Sequence, residues 1–339
     1  MTRKIRRIVK DAPTPMAGLA LGVASLGWCW ESFAPLGGVA QLSGAIIASA
    51  LLLILTGKFL LHPTLLWDDL AHPVVGSVVP TFAMATMVVA KAVGLHWPDI
   101  GIALWLIAVA FHLLFLVMFV CHRLRAFELH HMVPAWFVPP VGIIVADVTF
   151  PGVAALQPLA LGLLYLGMLL YALLLPAMIY RLLFAAEIPD AAKPTIAIMA
   201  APASLSLTGY LTVVPSPSPL LVALLAGIAV LMTAVIYLAF FKLLRLPYSS
   251  GYAAFTFPLV IGATALAKTA AWMQAQGMAG HYVAQVQALA DIEVVIATLA
   301  VGYVALRYGL YYLQCARHGL KRHTTGTMCH NRSACQRTF

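Results

Sequence analysis

Long apolar runs alternate with short polar connections along the chain. A helix needs about 20 apolar residues to cross the hydrocarbon layer of a bilayer. Ten segments meet or approach that length: residues 14–32, 37–59, 73–94, 99–121, 134–151, 155–183, 194–213, 217–243, 252–274 and 286–313. The fifth and seventh are short, while the sixth, eighth and tenth are long enough to tilt. The pattern predicts an all-α integral membrane protein with ten transmembrane helices.

A second pattern lies over the first. Every odd span carries proline at its start or in its body: Pro13 and Pro15, Pro80, Pro134 with Pro139 and Pro140, Pro194 with Pro202, and Pro258. Among the even spans only the sixth has an interior proline, Pro176. Odd spans are also richer in Gly, Ala, Ser and Thr, and even spans in Leu, Ile and Val. Proline inside a membrane helix frees a carbonyl that neighbouring helices or a watery lumen must satisfy. The chain therefore reads as five helical hairpins with quasi-five-fold symmetry, inner odd helices lining a central pore and outer even helices facing lipid. The competing reading is an irregular ten-helix bundle whose prolines only kink its helices.

Composition narrows the class. Of 339 residues, 63% are hydrophobic and 9% charged, with a mean hydropathy of +0.96; soluble domains carry roughly a quarter charged residues. The net charge of +9 does not point to nucleic acid. Its basic residues sit in short connections and near both ends: Arg3 to Lys10, Lys58, Arg123 and Arg125, Arg181 and Lys193, Lys242 and Arg245, and Arg317 to Arg322. By the positive-inside rule both termini are cytoplasmic, which fits a multi-pass protein of a bacterial inner (plasma) membrane. Residues 1–13 and 316–339 are expected to be cytoplasmic tails, the second without stable structure, around a channel domain at 14–315. The five cysteines do not suggest a disulfide framework on that side of the membrane.

The candidate chemistry centres on Tyr252-Ala-Ala-Phe-Thr-Phe-Pro-Leu-Val-Ile261. On a helix, positions eleven apart fall close to one stripe, about three turns on. That stripe joins Phe257 to Lys268, an intramembrane cation expected to face the interior or a watery cavity. Phe255 points to another face and is the second choice for a pore-facing ring. The alternative for Phe257 is plain packing between helices. Lys91 repeats the arrangement past Pro80, with snorkelling to the interface as its alternative. Both lysines are candidates for drawing in anions, and Asp147 is a candidate partner for either. Breaks at Pro15, Pro80, Pro139, Pro140, Pro202 and Pro258 would turn backbone dipoles towards a lumen. Gly18 and Gly22 permit close helix contact or a smooth pore wall.

Metal and nucleotide chemistry find little footing. His62, His72, His122, His130 and His131 fall in connections and His112 inside the fourth span. Their spacing matches no standard zinc site, and neither does the set His318, His323, Cys329, His330 and Cys335. No Walker A motif is present. No metal, cofactor or catalytic constellation is expected, and hence no enzyme.

Four segments taken in order carry a resemblance: His72-Pro-Val-Val-Gly-Ser-Val-Val-Pro-Thr-Phe82, Pro134-Ala-Trp-Phe-Val-Pro-Pro-Val-Gly-Ile-Ile-Val145, Pro194-Thr-Ile-Ala-Ile-Met-Ala-Ala-Pro-Ala-Ser204 and Phe255-Thr-Phe-Pro258. Together they resemble the tellurite-resistance TehA family, which also takes in yeast malate and dicarboxylate transporters and the slow anion channels of plant guard cells. The resemblance runs from about Pro13 to Tyr312. It implies ten helices in five hairpins around a pore, a homotrimer with one pore per protomer, and conduction of anions. It also implies a gating phenylalanine on the ninth helix, matched here by Phe257. The chain departs from the pattern at Tyr252-Ala-Ala, where relatives often carry paired tryptophans. The expected activity is a channel for small monovalent anions. The alternative is a proton-coupled carrier for dicarboxylates or tellurite-like oxyanions, with Asp147, Glu293 and His112 as its available titrating groups.

Overall fold

A computed structural model describes residues 9–324, with side chains as far as residue 312. All regular structure among these residues is helical. We number the helices α1 (Met16–Glu31), α2 (Val39–Leu61), α3 (Pro63–Ala71), α4 (Val75–Val93), α5 (Pro98–Arg125), α6 (Pro134–Val148), α7 (Ala154–Phe184), α8 (Lys193–Val213), α9 (Pro219–Leu243), α10 (Ser250–Ala275) and α11 (Gly280–Thr324). Eight of them are long and apolar enough to cross a membrane: α2, α4, α5, α7, α8, α9, α10 and α11. Two expected spans fall short. Helix α1 has 16 residues, or about 24 Å at the α-helical rise. Helix α6 is a chain of short α and 3₁₀ turns. Helix α11 continues to Thr324, through the expected boundary at 315; residues 1–8 and 325–339 of the expected tails lie outside the described residues.

Burial separates two kinds of helix. In α4, α8 and α10, 72–83% of the most apolar stretch is buried, against 28–33% in α2, α5, α7, α9 and α11. Helix α1 buries Met16 to Leu21 without interruption, and α6 buries every residue but Pro140. The buried set is the proline-bearing, small-residue set. Bulky Leu, Ile and Val cover the exposed helices, as in a chain whose outer surface meets apolar solvent. The buried helices pack against one another in chain order, α1 on α4, α4 on α6, α6 on α8 and α8 on α10, and α10 closes back on α1. Each also packs against the exposed helix that follows it.

Polar side chains tie the connections together at two ends. At one, Lys58 Nζ lies 2.9 Å from Thr14 Oγ1 and 3.1 Å from Asp69 Oδ2. Arg123 donates to Ala71 O, Trp136 Nε1 to Pro73 O, and the buried Arg181 to Leu129 O and His130 O. His72 belongs to the same end, its Nδ1 3.2 Å from the amides of Val74 and Val75. Burial holds this imidazole below its ordinary pKa, partly offset by Asp69, so it is neutral at pH 7 and accepts both amides. At the other end, the Glu31 carboxylate accepts the amides of Gly38 and Ala40, and Gln157 bonds Val213 O. The first end carries Lys58, Arg123, Arg125, Arg181, Lys193, Lys242 and Arg245; the second carries Lys91 and Lys268.

Candidate functional site

The five buried helices enclose a cavity of about 70 Å³ in the half of the molecule nearest the first end. That is space for a few water-sized particles. Every one of the five contributes to its wall: Pro15, Gly18 and Leu21 at α1, Val75, Val78, Thr81 and Met84 from α4, Phe137, Val138, Val141 and Gly142 from α6. Helix α8 adds Thr195, Ile198, Ala201, Pro202 and Leu205, and α10 adds Gly251, Ala253, Ala254, Phe257 and Pro258. No charged side chain lines it. The two threonine hydroxyls donate to their own helices, Thr81 to Val78 O and Thr195 to Ala192 O, at 2.7 and 2.6 Å.

The prolines act differently from kinks in continuous helices. In α10 a 3₁₀ stretch, Ser250–Phe255, precedes the α-helix Phe257–Ala275, with Pro258 in its first turn. In α8 a 3₁₀ stretch, Lys193–Ala200, precedes Ala201–Val213, with Pro202 in the first turn. Pro80 is the N-cap of Thr81–Val93, and Pro15 that of α1. A proline at the first helical positions loses no hydrogen bond, because those amides have no partner within the helix anyway. These prolines therefore start α-helices part-way across the protein. Most amides at these starts bond carbonyls of the preceding turn, Ala17 to Thr14 O, Gly18 to Pro15 O, Phe82 to Val79 O and Val260 to Thr256 O, and the four α-helical segments direct the positive ends of their dipoles towards the level of the cavity. Pro139 and Pro140 lie in the short turn Val138–Val141 and are not in the cavity wall. There His112, fully buried on α5, donates from Nε2 to Pro139 O at 2.9 Å, satisfying a carbonyl at the break.

The two phenylalanines of Phe-Thr-Phe-Pro part company at this junction. Phe257 lines the cavity and keeps 8% exposure. Phe255 turns away, packing edge-on to Phe240 of α9 at 5.2 Å and against Tyr252 at 4.8 Å between ring centroids. Between them Thr256 donates to Ala253 O at 2.7 Å, with Gly18 O at 3.2 Å. Gly22 of α1 lies where a side chain would collide with Thr256 Oγ1 and Cβ. Gly18 instead faces Ala253 at ordinary contact distance and borders the cavity. Ala254 lines the cavity together with Phe257, whereas Thr264, about two turns further along the helix, lies against Cys29 of α1.

The lysines lie at the second end. Lys91 Nζ donates to Val148 O at 3.0 Å and sits 4.4 Å from the Trp28 ring centroid. Lys268 Nζ donates to Thr212 Oγ1 at 2.9 Å. A cavity of about 220 Å³ lies here between α4, α5 and the α6–α7 connection, with Lys91 in its wall. Trp105, unusual as a tryptophan inside an apolar span, donates to Ala146 O and Thr149 Oγ1 in the same region. Asp147 pairs with neither lysine. Its carboxyl is fully buried and neither oxygen has a hydrogen-bond partner. Glu293 of α11 accepts from Tyr237 of α9 through one oxygen, and its other oxygen has no partner.

The family model described as voltage-dependent anion channel, SLAC1, matches residues 14–308. Two proteins of Methanocaldococcus jannaschii, each named an uncharacterized transporter, are 27% identical to the chain. One aligns over 226 residues, 60% of this chain and 66% of its own length; the other over 221, 56% and 62%. The match thus spans slightly less than two thirds of either relative. The matched family region takes in all five cavity-lining helices, and the chain belongs to the SLAC1 family of voltage-dependent anion channels, the tellurite-resistance TehA-like group.

Proposed function

We propose that the protein is a passive channel for small monovalent anions, closed at Phe257. In this reading ten segments cross the membrane, α1, α2 and α4 to α11 without α3, as five hairpins around the central cavity. The observation that carries it is one apolar cavity reached by all five buried helices, with the Phe257 ring in its wall. Four helix starts near that level supply a weak positive potential without a fixed charge. Weak binding suits conduction, since an ion must leave as readily as it enters. Lys91 and Lys268 raise the potential at the second end, where an anion would arrive or depart. The excess of Lys and Arg at the first end makes it the cytoplasmic face of a bacterial plasma membrane. Assembly as a homotrimer with a pore in each protomer rests on the family resemblance alone. The test is the reversal potential of purified Phe257→Ala protein in planar bilayers. Under a chloride gradient it should follow the anion gradient and stay fixed when pH is changed on one side.

One observation favours a second reading. Asp147 and Glu293 are buried carboxyls with oxygens that no group satisfies, as expected of groups that hold a proton. A proton-coupled carrier for dicarboxylates or oxyanions would use one of them. A reversal potential that moves with the pH gradient, and stops moving in Asp147→Asn or Glu293→Gln, would favour the carrier over the channel.

A further inference from the structure

The turn between α5 and α6 brings together three side chains that the cavity does not use. Glu128 Oε2 lies 3.2 Å from His130 Nε2 and 3.8 Å from His131 Nδ1, and the two imidazole centroids are 4.1 Å apart. Among the described residues this is the one group of three histidine, cysteine or acidic side chains whose ligand atoms all fall within 4.8 Å of one another. Ligands about 2.0–2.1 Å from a tetrahedral zinc ion stand about 3.4 Å apart. The observed separations bracket that distance. Two imidazoles and one carboxylate also form a donor set that suits zinc-class ions and leaves a fourth position for water.

Two further features set this turn apart from a chance ion pair. His131 Nδ1 is buried without a hydrogen-bond partner, since 3.8 Å to Glu128 is too long for one. The backbone is also fixed before any ion arrives. His131 N donates to Glu128 O at 3.0 Å, and Met132 N to Leu129 O at 3.1 Å. The buried guanidinium of Arg181 holds Leu129 O at 2.9 Å and His130 O at 3.2 Å. A preformed backbone lowers the ordering cost of binding. Glu128 and His130 are exposed, so an ion can reach them from solvent.

We propose that Glu128, His130 and His131 form a binding site for one divalent zinc-class ion per protomer, at the end of the molecule that carries Lys58 and Arg123. The two histidines give their neutral imidazole nitrogens and Glu128 its carboxylate. Sequence spacing alone did not suggest this, because a Glu-Leu-His-His run presents its ligands together only on a tight 3₁₀ turn.

The test is isothermal titration of the detergent-purified full chain, freed of any affinity tag, with ZnCl₂. Wild type should bind one ion per protomer saturably. His130→Ala and His131→Ala should each weaken binding about tenfold or more. Glu128→Gln, which keeps the shape and removes the charge, should weaken it as well. Each variant should keep the wild-type elution profile and a metal-free melting temperature close to wild type, since Glu128 and His130 are exposed and His131 is only partly buried. Absence of saturable binding in folded wild type would overturn the proposal. So would undiminished binding in the histidine variants, which would put the ion elsewhere on the chain.

Discussion

Two cavities among the described residues are built on opposite principles. The one near the first end is about 70 Å³, apolar, enclosed by five helices and free of charged side chains. The one at the second end is about 220 Å³, sits beside fewer elements and has Lys91 in its wall. Both lysines there are already committed, Lys91 to a carbonyl and an indole face, Lys268 to a hydroxyl. On the proposed reading the difference separates attraction from passage. A full charge in the narrow part would hold an anion too tightly to release it, because charges interact strongly where water is excluded. On the same reading, a charge at the second end would raise local anion concentration without forming a trap.

The contrast extends to the two sides of α10, and the largest predicted effect lies there. Phe255→Ala removes a ring buried against Phe240 and Tyr252, and should cost about 3–5 kcal/mol of stability without opening the channel. Thermal melts and single-channel recordings of one preparation separate the two effects. Next comes the cavity itself. Leu205→Asp, introduced into a Phe257→Ala background, places a carboxylate in the apolar wall. Anion current should fall by roughly a hundredfold, about 2.7 kcal/mol, whereas Leu205→Asn should lose much less. Equal loss in both would mean that packing, not charge, decides passage. At the α1–α10 contact, Gly22→Ala should cost about 1–3 kcal/mol through overpacking against Thr256. Gly18→Ala, with ordinary contact distances, should be nearly neutral. The smallest effect belongs to the second end. Lys91→Met and Lys268→Met should each lower current in the open background about two- to threefold at low salt, converging with the parent as salt screens the charge. A reduction that ignores ionic strength would count against an attracting role.

Much of the architecture was legible in the sequence because hydropathy and small-residue content report different things. Run length alone marked eight of the ten expected spans, and the proline-rich, Gly/Ala-rich runs proved to be the buried ones. Helices α1 and α6 fall short of a full span for a readable reason: proline crowds the start of one and the body of the other. The choice between Phe257 and Phe255 was legible only in part. The stripe from Phe257 to Lys268 runs within one α-helix, but the 3₁₀ stretch Ser250–Phe255 sets the angle between the two rings. Phe257 nonetheless reaches the cavity, because the α-helix restarts at it. Proline identified the breaks but not their form, since a kink and a new helix start carry the same residue. Side-chain partners were the least legible. Asp147 reads as a candidate partner for a lysine, yet Lys91 takes the carbonyl of the adjacent Val148 instead. Nothing in linear spacing distinguishes a side-chain acceptor from a backbone one a single residue away. His112 likewise reads as a titratable group in an apolar span, and its use at the Pro139 carbonyl emerges only once α5 and α6 are packed.

The most direct test of the central claim compares the current carried by wild type, Phe257→Ala and Phe255→Ala, each purified, shown to be folded and reconstituted at equal density in chloride-containing bilayers. With Phe257 as the gate, the Phe257→Ala current should exceed wild type by about tenfold or more, a barrier change of at least about 1.4 kcal/mol, and Phe255→Ala should stay at the wild-type level. A well-folded Phe257→Ala protein that conducts no more than wild type, or a Phe255→Ala protein that opens instead, would contradict the account.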